Sequence, residues 1–228
     1  MKKILSALCA IALISCTCNV RIGNGKNGKS VTCKGPVITQ SFDLVDFNAI
    51  VINGHADLEF TQTDGTYGVS VKANEEVFQH LNYRVENGVL ILETINKVNI
   101  RADEFDVYVS APKLVSMEVN GAVDAKMAAL NQPESLEIDV NGAGDLELKN
   151  VTVPELNVEI NGAGDLDCKG LNVGQLSIEV NGAGDVELEG KAGSCKLNVS
   201  GAGDIDARQL DCDAIETHKA GLASIKTK

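Results

Sequence analysis

Asn141-Gly142-Ala143-Gly144-Asp145 recurs as Asn161-Gly162-Ala163-Gly164-Asp165 and again as Asn181-Gly182-Ala183-Gly184-Asp185. Ser200–Asp204 reads Ser-Gly-Ala-Gly-Asp, Asn120–Asp124 reads Asn-Gly-Ala-Val-Asp, and a decayed copy, Ala220-Gly221-Leu222-Ala223-Ser224, closes the series. The leading glycines, Gly121, Gly142, Gly162, Gly182, Gly201 and Gly221, are separated by 21, 20, 20, 19 and 20 residues. A fixed period of this length is the mark of a repeat architecture.

Each unit carries two alternating stretches. Leu136-Glu137-Ile138-Asp139-Val140, Leu156-Asn157-Val158-Glu159-Ile160 and Leu176-Ser177-Ile178-Glu179-Val180 precede the glycines. Leu146-Glu147-Leu148, Leu166-Asp167-Cys168, Val186-Glu187-Leu188 and Ile205-Asp206-Ala207 follow them. Alternation of period two predicts strands with one buried and one wet face, and the glycines sit where the chain must turn. A third apolar pair, such as Val151/Val153 or Leu171/Val173, completes the unit. The reading is an all-β, right-handed parallel β-helix, a single-stranded β-solenoid with coils of about 20 residues. Successive coils would stack about 4.8 Å apart, placing equivalent side chains in columns. Leucine-rich repeats and propeller blades need frames or strand counts that these units lack.

Upstream, Phe47–Ile52, Asp57–Gln62, Gly68–Lys72, Tyr83–Glu86, Val89–Glu93 and Asp106–Ser110 read as strands, and Glu75–Leu81 as one short helix. Asn53-Gly54-His55-Ala56-Asp57 looks like a distant copy of the repeat signature. These strands are expected to continue the stack or cap its end, because a terminus must hide unpaired backbone edges.

The first residues have the grammar of a secretory leader: Met1-Lys2-Lys3, an apolar run from Ile4 to Ile14, then Ser15-Cys16. The run is too short to cross a bilayer core of about 30 Å. Leu13-Ile14-Ser15-Cys16 resembles the bacterial lipobox, with Cys16 the residue that is lipidated and becomes the new N-terminus. The expected organisation is a leader over 1–15, a lipidated cysteine with a flexible Gly/Asn/Lys tether over 16–37, and one β-helix domain over 38–228. Within that domain, 38–117 would form irregular coils and 118–228 the regular repeats. Losing Lys2 and Lys3 with the leader takes the formal charge from −12 to −14. So acidic a surface repels phosphate backbones, which argues against a nucleic-acid partner.

Candidate chemistry concentrates in one column: Asp124, Asp145, Asp165, Asp185 and Asp204. Carboxylates stacked one coil apart repel by about 0.9 kcal/mol in water, so something must offset them. Asx-type bonds to backbone N–H groups would do so, and so would calcium, which takes oxygen ligands. Asn141, Asn161 and Asn181 read as a hydrogen-bonded ladder. Cys168, Cys195 and Cys212 fall on inward columns and read as small core hydrophobes, while Cys18 and Cys33 are candidates for a disulfide. His55, His80 and His218 lack zinc-ligand spacing. No nucleophile elbow, phosphate loop or dinucleotide fingerprint is present. All eight aromatic residues lie at or before Tyr108, so an aromatic platform for a sugar would have to sit in Phe42–Tyr108. These rings are expected mainly to fill the N-terminal core.

From Ile38 onward the chain resembles the bacterial head GIN domain family, whose members are named for auto-transporter adhesion and are common in Bacteroidetes. The residues that carry the resemblance are Phe42-Asp43-Leu44-Val45-Asp46-Phe47-Asn48-Ala49-Ile50, Glu86-Asn87-Gly88-Val89-Leu90-Ile91, Val107-Tyr108-Val109-Ser110-Ala111-Pro112-Lys113-Leu114, and the Gly-Ala-Gly-Asp turns. The chain departs from the family in having Asn-Gly-Ala-Gly-Asp where Ser-Gly-Ser-Gly is more usual, and in stopping at Lys228. The resemblance implies adhesion and transfers no catalytic or binding residue. The expectation is a non-catalytic lipoprotein of the cell envelope, held to the outer membrane by its lipid, on either face, with a protein or glycan partner. Two alternatives are a calcium-binding structural solenoid and a glycan-active enzyme. The enzyme is disfavoured because units of 19–21 residues leave no room for the bulging loops that build such sites.

Overall fold

The computed structural model describes residues 23–24 and 29–228. The leader, Cys16 and Cys18 lie outside the described residues. Strands run in the order β1 (Gly23–Asn24), β2 (Lys29–Thr32), β3 (Val37–Phe42), β4 (Ala49–Gln62), β5 (Gly68–Asn74), β6 (Arg84–Glu86), β7 (Val89–Glu93) and β8 (Asn99–Arg101). They continue as β9 (Phe105–Ala111), β10 (Ser116–Ala128), β11 (Leu136–Ala143), β12 (Leu146–Lys149), β13 (Thr152–Ala163), β14 (Leu166–Ala183) and β15 (Val186–Lys226). Two short 3-10 turns interrupt them, Glu75–His80 and Ile95–Lys97; the first occupies the place where a short helix is expected.

The repeat register is as the sequence spacing predicts. Gly121 lies opposite Gly142, Gly142 opposite Gly162, Gly162 opposite Gly182, and Gly182 opposite Gly201, all in parallel ladders. The distant copy is genuine: β10 pairs in parallel with β4, placing Asn120, Gly121 and Asp124 opposite Asn53, Gly54 and Asp57.

The right-handed parallel β-helix expected from the repeats is not what forms. The molecule is an all-β fold with a closed five-strand parallel barrel plus extra strands. β10 pairs with both β11 and β12, β11 pairs with β13, β12 with β14, and β13 with β14, so the circuit returns on itself. The cause lies at the glycines. Backbone pairing does not stop at the bend but runs through Asn-Gly-Ala, so a bent strand offers both arms to its neighbours and the sheet closes.

The extra strands are not all parallel. β3 pairs antiparallel with β5, β5 with β9, and β6 with β7, while β4 pairs in parallel with β7 and β9. The packed body also takes in residues assigned to the tether: Ser30–Thr32 pairs in parallel with Asn99–Arg101, and Val31 and Cys33 are buried.

Alternation sets the core. Val119, Val140, Ile160, Val180 and Val199 form one buried column, and Leu148, Cys168 and Leu188 another. Each such aliphatic side chain contributes roughly 1.5–3 kcal/mol by leaving water. Asn74 and Gln132 are buried polar groups and both are bonded. Asn74 Nδ2 donates to the Gly35 carbonyl at 2.9 Å, and its Oδ1 accepts from the Asp103 N–H at 2.8 Å. Gln132 accepts from the Leu114 N–H at 3.0 Å and donates to the Leu114 carbonyl at 2.7 Å.

Candidate functional site

The Asp column forms as expected, and its carboxylates are engaged by backbone. Asp124 Oδ1 accepts from the N–H of Asp145 at 3.3 Å, and Asp145 Oδ1 from that of Asp165 at 3.3 Å. Asp165 Oδ1 accepts from Asp185 at 2.8 Å, and Asp185 Oδ1 from Asp204 at 3.1 Å. Each side chain thus stitches its own strand to the next one, which offsets the repulsion along the column. Lys226 adds an ion pair to Asp204 at 3.1 Å. Among the described residues no three His, Cys, Asp or Glu side chains are grouped so as to hold a metal ion.

The Asn ladder is continuous. Nδ2 of Asn120, Asn141, Asn161 and Asn181 donates to Oδ1 of Asn53, Asn120, Asn141 and Asn161 respectively, at 3.1–3.4 Å. The second Nδ2 proton of Asn120, Asn161 and Asn181 goes to the carboxylate two residues earlier, Glu118, Glu159 or Glu179. Those acids form a column of their own with Asp139. Burial, then the nearby Glu137, Glu159 and Glu118 charges, push the Asp139 carboxyl above its ordinary range.

A second surface lies at the N-terminal end, on the outward face of β10, β4, β9, β5 and β3. Its central row runs Lys126, Glu59, Tyr108, Ser70, Ser41 across the five strands. The row beside it runs Asp124, Asp57, Asp106, Lys72, Thr39. Tyr108 is 37% exposed, and no Phe or other Tyr is among the exposed large apolar side chains. Its hydroxyl donates to Asp106 Oδ2 at 3.4 Å, and Lys72 is ion-paired with Glu104. Burial first, then the charges of Asp124 and Asp106, raise the Asp57 carboxyl above its ordinary value, against His55 and Lys126, which lower it. Burial and the Asp106 charge likewise raise the Tyr108 phenol.

Two grooves flank the Tyr108 ring. One of about 350 Å³ has hydroxyls from Ser41, Ser70 and Ser110 along its wall, and the other, of about 310 Å³, is walled by Asp57, Asp106, Asp124 and Lys126. The ring at the centre of this face falls within Phe42–Tyr108, where any aromatic platform is expected, although no residue of the face is distinguished there. Its signal was present in the alternation Phe105-Asp106-Val107-Tyr108-Val109-Ser110: the odd positions are buried, so the tyrosine must point outward with its polar neighbours.

Cys195 and Cys212, read as core thiols, are joined as a disulfide with Cα atoms 6.6 Å apart. They sit on different columns of adjacent strand levels, and column alignment alone does not show that two such positions face each other. Cys168 is buried as expected, and burial pushes its thiol well above the ordinary value. His55 packs edge-on against Phe105, with ring centroids 5.6 Å apart.

Comparison with known proteins is informative at the level of family and fold. The family model described as "Putative auto-transporter adhesin, head GIN domain" matches residues 46–170 and 128–228. No curated protein matches the chain. A crystal structure of a "putative adhesin" from Bacteroides fragilis has a TM-score of 0.67 at 17% identity, covering 87% of this chain and all of that one. A "putative lipid binding protein" from Parabacteroides distasonis has a TM-score of 0.53 at 18% identity, over 88% of this chain and all of that one. A "putative adhesin" from the same species has a TM-score of 0.50 at 16% identity, over 87% of this chain and all of that one. At such identities the likeness speaks for the fold and not for a ligand.

Proposed function

The chain belongs to the head GIN domain family, and from that premise we propose that it is a non-catalytic adhesion module of the cell envelope, tethered to the outer membrane by lipid on Cys16. The observation that supports adhesion best is the outward surface. Its polar side chains are held at fixed strand-to-strand spacing by bonds to one another and to backbone, as in the Asn and Asp columns. Side chains ordered in advance lose little entropy on contact, so a rigid body of this kind suits recognition over an extended face. The tether is supported by the leader grammar and by Leu13-Ile14-Ser15-Cys16. Among the described residues no helix is long and apolar enough to cross a membrane, and two or more acyl chains would suffice for stable anchoring.

The test is trypsin shaving of intact cells with lysed cells as control, paired with adherence of wild-type and deletion strains to host-derived surfaces. Arg21 and Lys26 supply trypsin sites between Cys16 and β2 in the sequence. The adhesion reading expects the band to vanish from intact cells and adherence to fall in the deletion strain. Protection until lysis, with unchanged adherence, would overturn it in favour of a periplasmic structural role. Cys16→Ala should move the protein from the membrane to the soluble fraction; retention in the membrane would overturn the anchor.

A further inference from the structure

We propose that the outward face centred on Tyr108 is a binding site for a neutral pyranose glycan, an assignment that rests on the adhesion reading and names its ligand class. The ring stands where a sugar platform requires it. It lies mid-sheet on β9, flanked by Glu59 on β4 and Ser70 on β5, so that both neighbours present polar groups at its rim. An aromatic face offers the apolar C–H side of a pyranose a surface to stack on, while groups around the rim take its hydroxyls.

The two grooves divide that task. On one side Ser41, Ser70 and Ser110 offer hydroxyls that donate or accept. On the other, Asp57 and Asp106 are acceptors for sugar hydroxyls, with Lys126 as a donor. Carboxylate-to-hydroxyl bonds are charge-assisted and stronger than neutral ones. Gly68 lies beside Ser110 in this groove, and a β-carbon there would meet Ser110 Oγ at 2.6 Å, so glycine leaves that hydroxyl free to choose its rotamer.

Charge selects the class. Glu59, Asp57 and Asp106 stand beside the ring with Asp124 beyond them on β10, and of the two lysines in these rows Lys72 is already paired with Glu104. A uronic-acid or sialylated glycan would meet net repulsion. A neutral pyranose would not.

The experiment uses the whole chain after its leader, carrying Cys16→Ala so that it is not lipidated, and labelled with ¹³C in its tyrosine rings. The chain has three tyrosines: Tyr83, partly buried against the core, reports on the fold, Tyr108 on the site, and Tyr67, which lines the serine groove, on occupancy of that groove. Titrants are maltohexaose, cellohexaose, mannohexaose and β-1,4-galactohexaose, with oligogalacturonate as the acidic control. The Tyr108 resonance is expected to shift saturably with at least one neutral oligosaccharide, with Kd of about 1 mM or tighter, and not with oligogalacturonate. Tyr108→Ala should weaken that binding about tenfold or more, and Tyr108→Phe, which keeps the ring, should hold it within about threefold. No shift from any neutral oligosaccharide, or equal binding of the acidic one, overturns the proposal. Cells carrying Tyr108→Ala separate this proposal from its premise. Adherence that survives the substitution but is lost on deletion of the whole chain overturns the glycan site and leaves adhesion standing. Adherence unchanged by deletion overturns adhesion, while the titration still decides the site.

Discussion

A β-carbon built on Gly162 would lie 1.9 Å from the carbonyl oxygen of Gly142, whereas one built on Gly54, the first glycine of the same column, meets nothing within 4 Å. Both have positive φ, 147° and 135°. The pair therefore separates two costs that usually come together. Gly54→Ala should cost only the backbone strain, about 1–3 kcal/mol. Gly162→Ala should cost that plus displacement of the neighbouring strand, another 1–3 kcal/mol or so. Guanidinium melts of the two variants check this, and equal losses would show that crowding is not what fixes the glycines.

Titration gives a second residue-scale test. Asp57 is held above its ordinary 3.8, by burial first and by Asp124 and Asp106 after it. The folded chain therefore binds that proton more readily than the unfolded chain. The ionised form destabilises, and its cost fades as pH falls through the folded value. Asp57→Asn should melt higher than the parent at pH 7 and converge with it near pH 3, below the unfolded value; a lower melting temperature at pH 7 would contradict this. Asp206 runs the other way. Hydrogen bonds from Arg208 hold it at about 2, so its contribution is present above 3.8 and is lost as pH falls toward 2. Which residues stack was legible from spacing and alternation. The Arg208 partner of Asp206 is also legible, two positions on along one strand, but the fate of Asp57 is not, because it depends on Asp106 from a strand that no fixed offset supplies.

Strands of this chain do not end where local pattern says they should. Phe47–Ile52 and Asp57–Gln62 read as two elements, yet Ala49–Gln62 is one strand, because pairing with β10 continues through Asn53-Gly54. The same continuity closes the barrel. Sequence shows the bend, but whether hydrogen bonds survive it is a property of the neighbouring strand. The antiparallel β3–β5–β9 arrangement was illegible for a related reason: alternation is identical in parallel and antiparallel strands. At the far end, residues 213–222 of β15 are exposed, Leu222 at 89%. The Cys195–Cys212 bridge ties the chain leading into that stretch back to the preceding level. With the half-cystines 17 positions apart in sequence, loop closure is worth about 3 kcal/mol. Reduction, or Cys212→Ser, should lower the unfolding free energy by about that amount. Faster amide exchange should appear first over 205–226, while Cys168 stays unreactive to thiol reagents until global unfolding. An unchanged melt under reductant would show that the bridge constrains little.

At the scale of the whole molecule the charge is uneven in kind but not in sign. The chain carries −12 formally, and acids recur at equivalent positions, Glu118, Asp139, Glu159 and Glu179 in one column and Glu147, Asp167 and Glu187 in another. Exposed ion pairs along single strands, Lys149 with Glu147, Lys169 with Asp167 and Arg208 with Asp206, offset little of this, since solvent and salt screen such pairs. Self-repulsion of this kind is screened by any salt, so sodium chloride should raise the melting temperature. Calcium is the discriminating ion. In the Asp column, one oxygen of Asp124, Asp145, Asp165 and Asp185 already accepts a backbone N–H from the next strand. A cation would have to compete with these N–H bonds for the carboxylates that already hold the strands together. Millimolar calcium should therefore raise the melting temperature no further than sodium chloride matched in ionic strength. An excess rise, reversed by chelator and abolished in Asp165→Asn, would instead show an ion seated between the strands, and the column would then be a site as well as a brace.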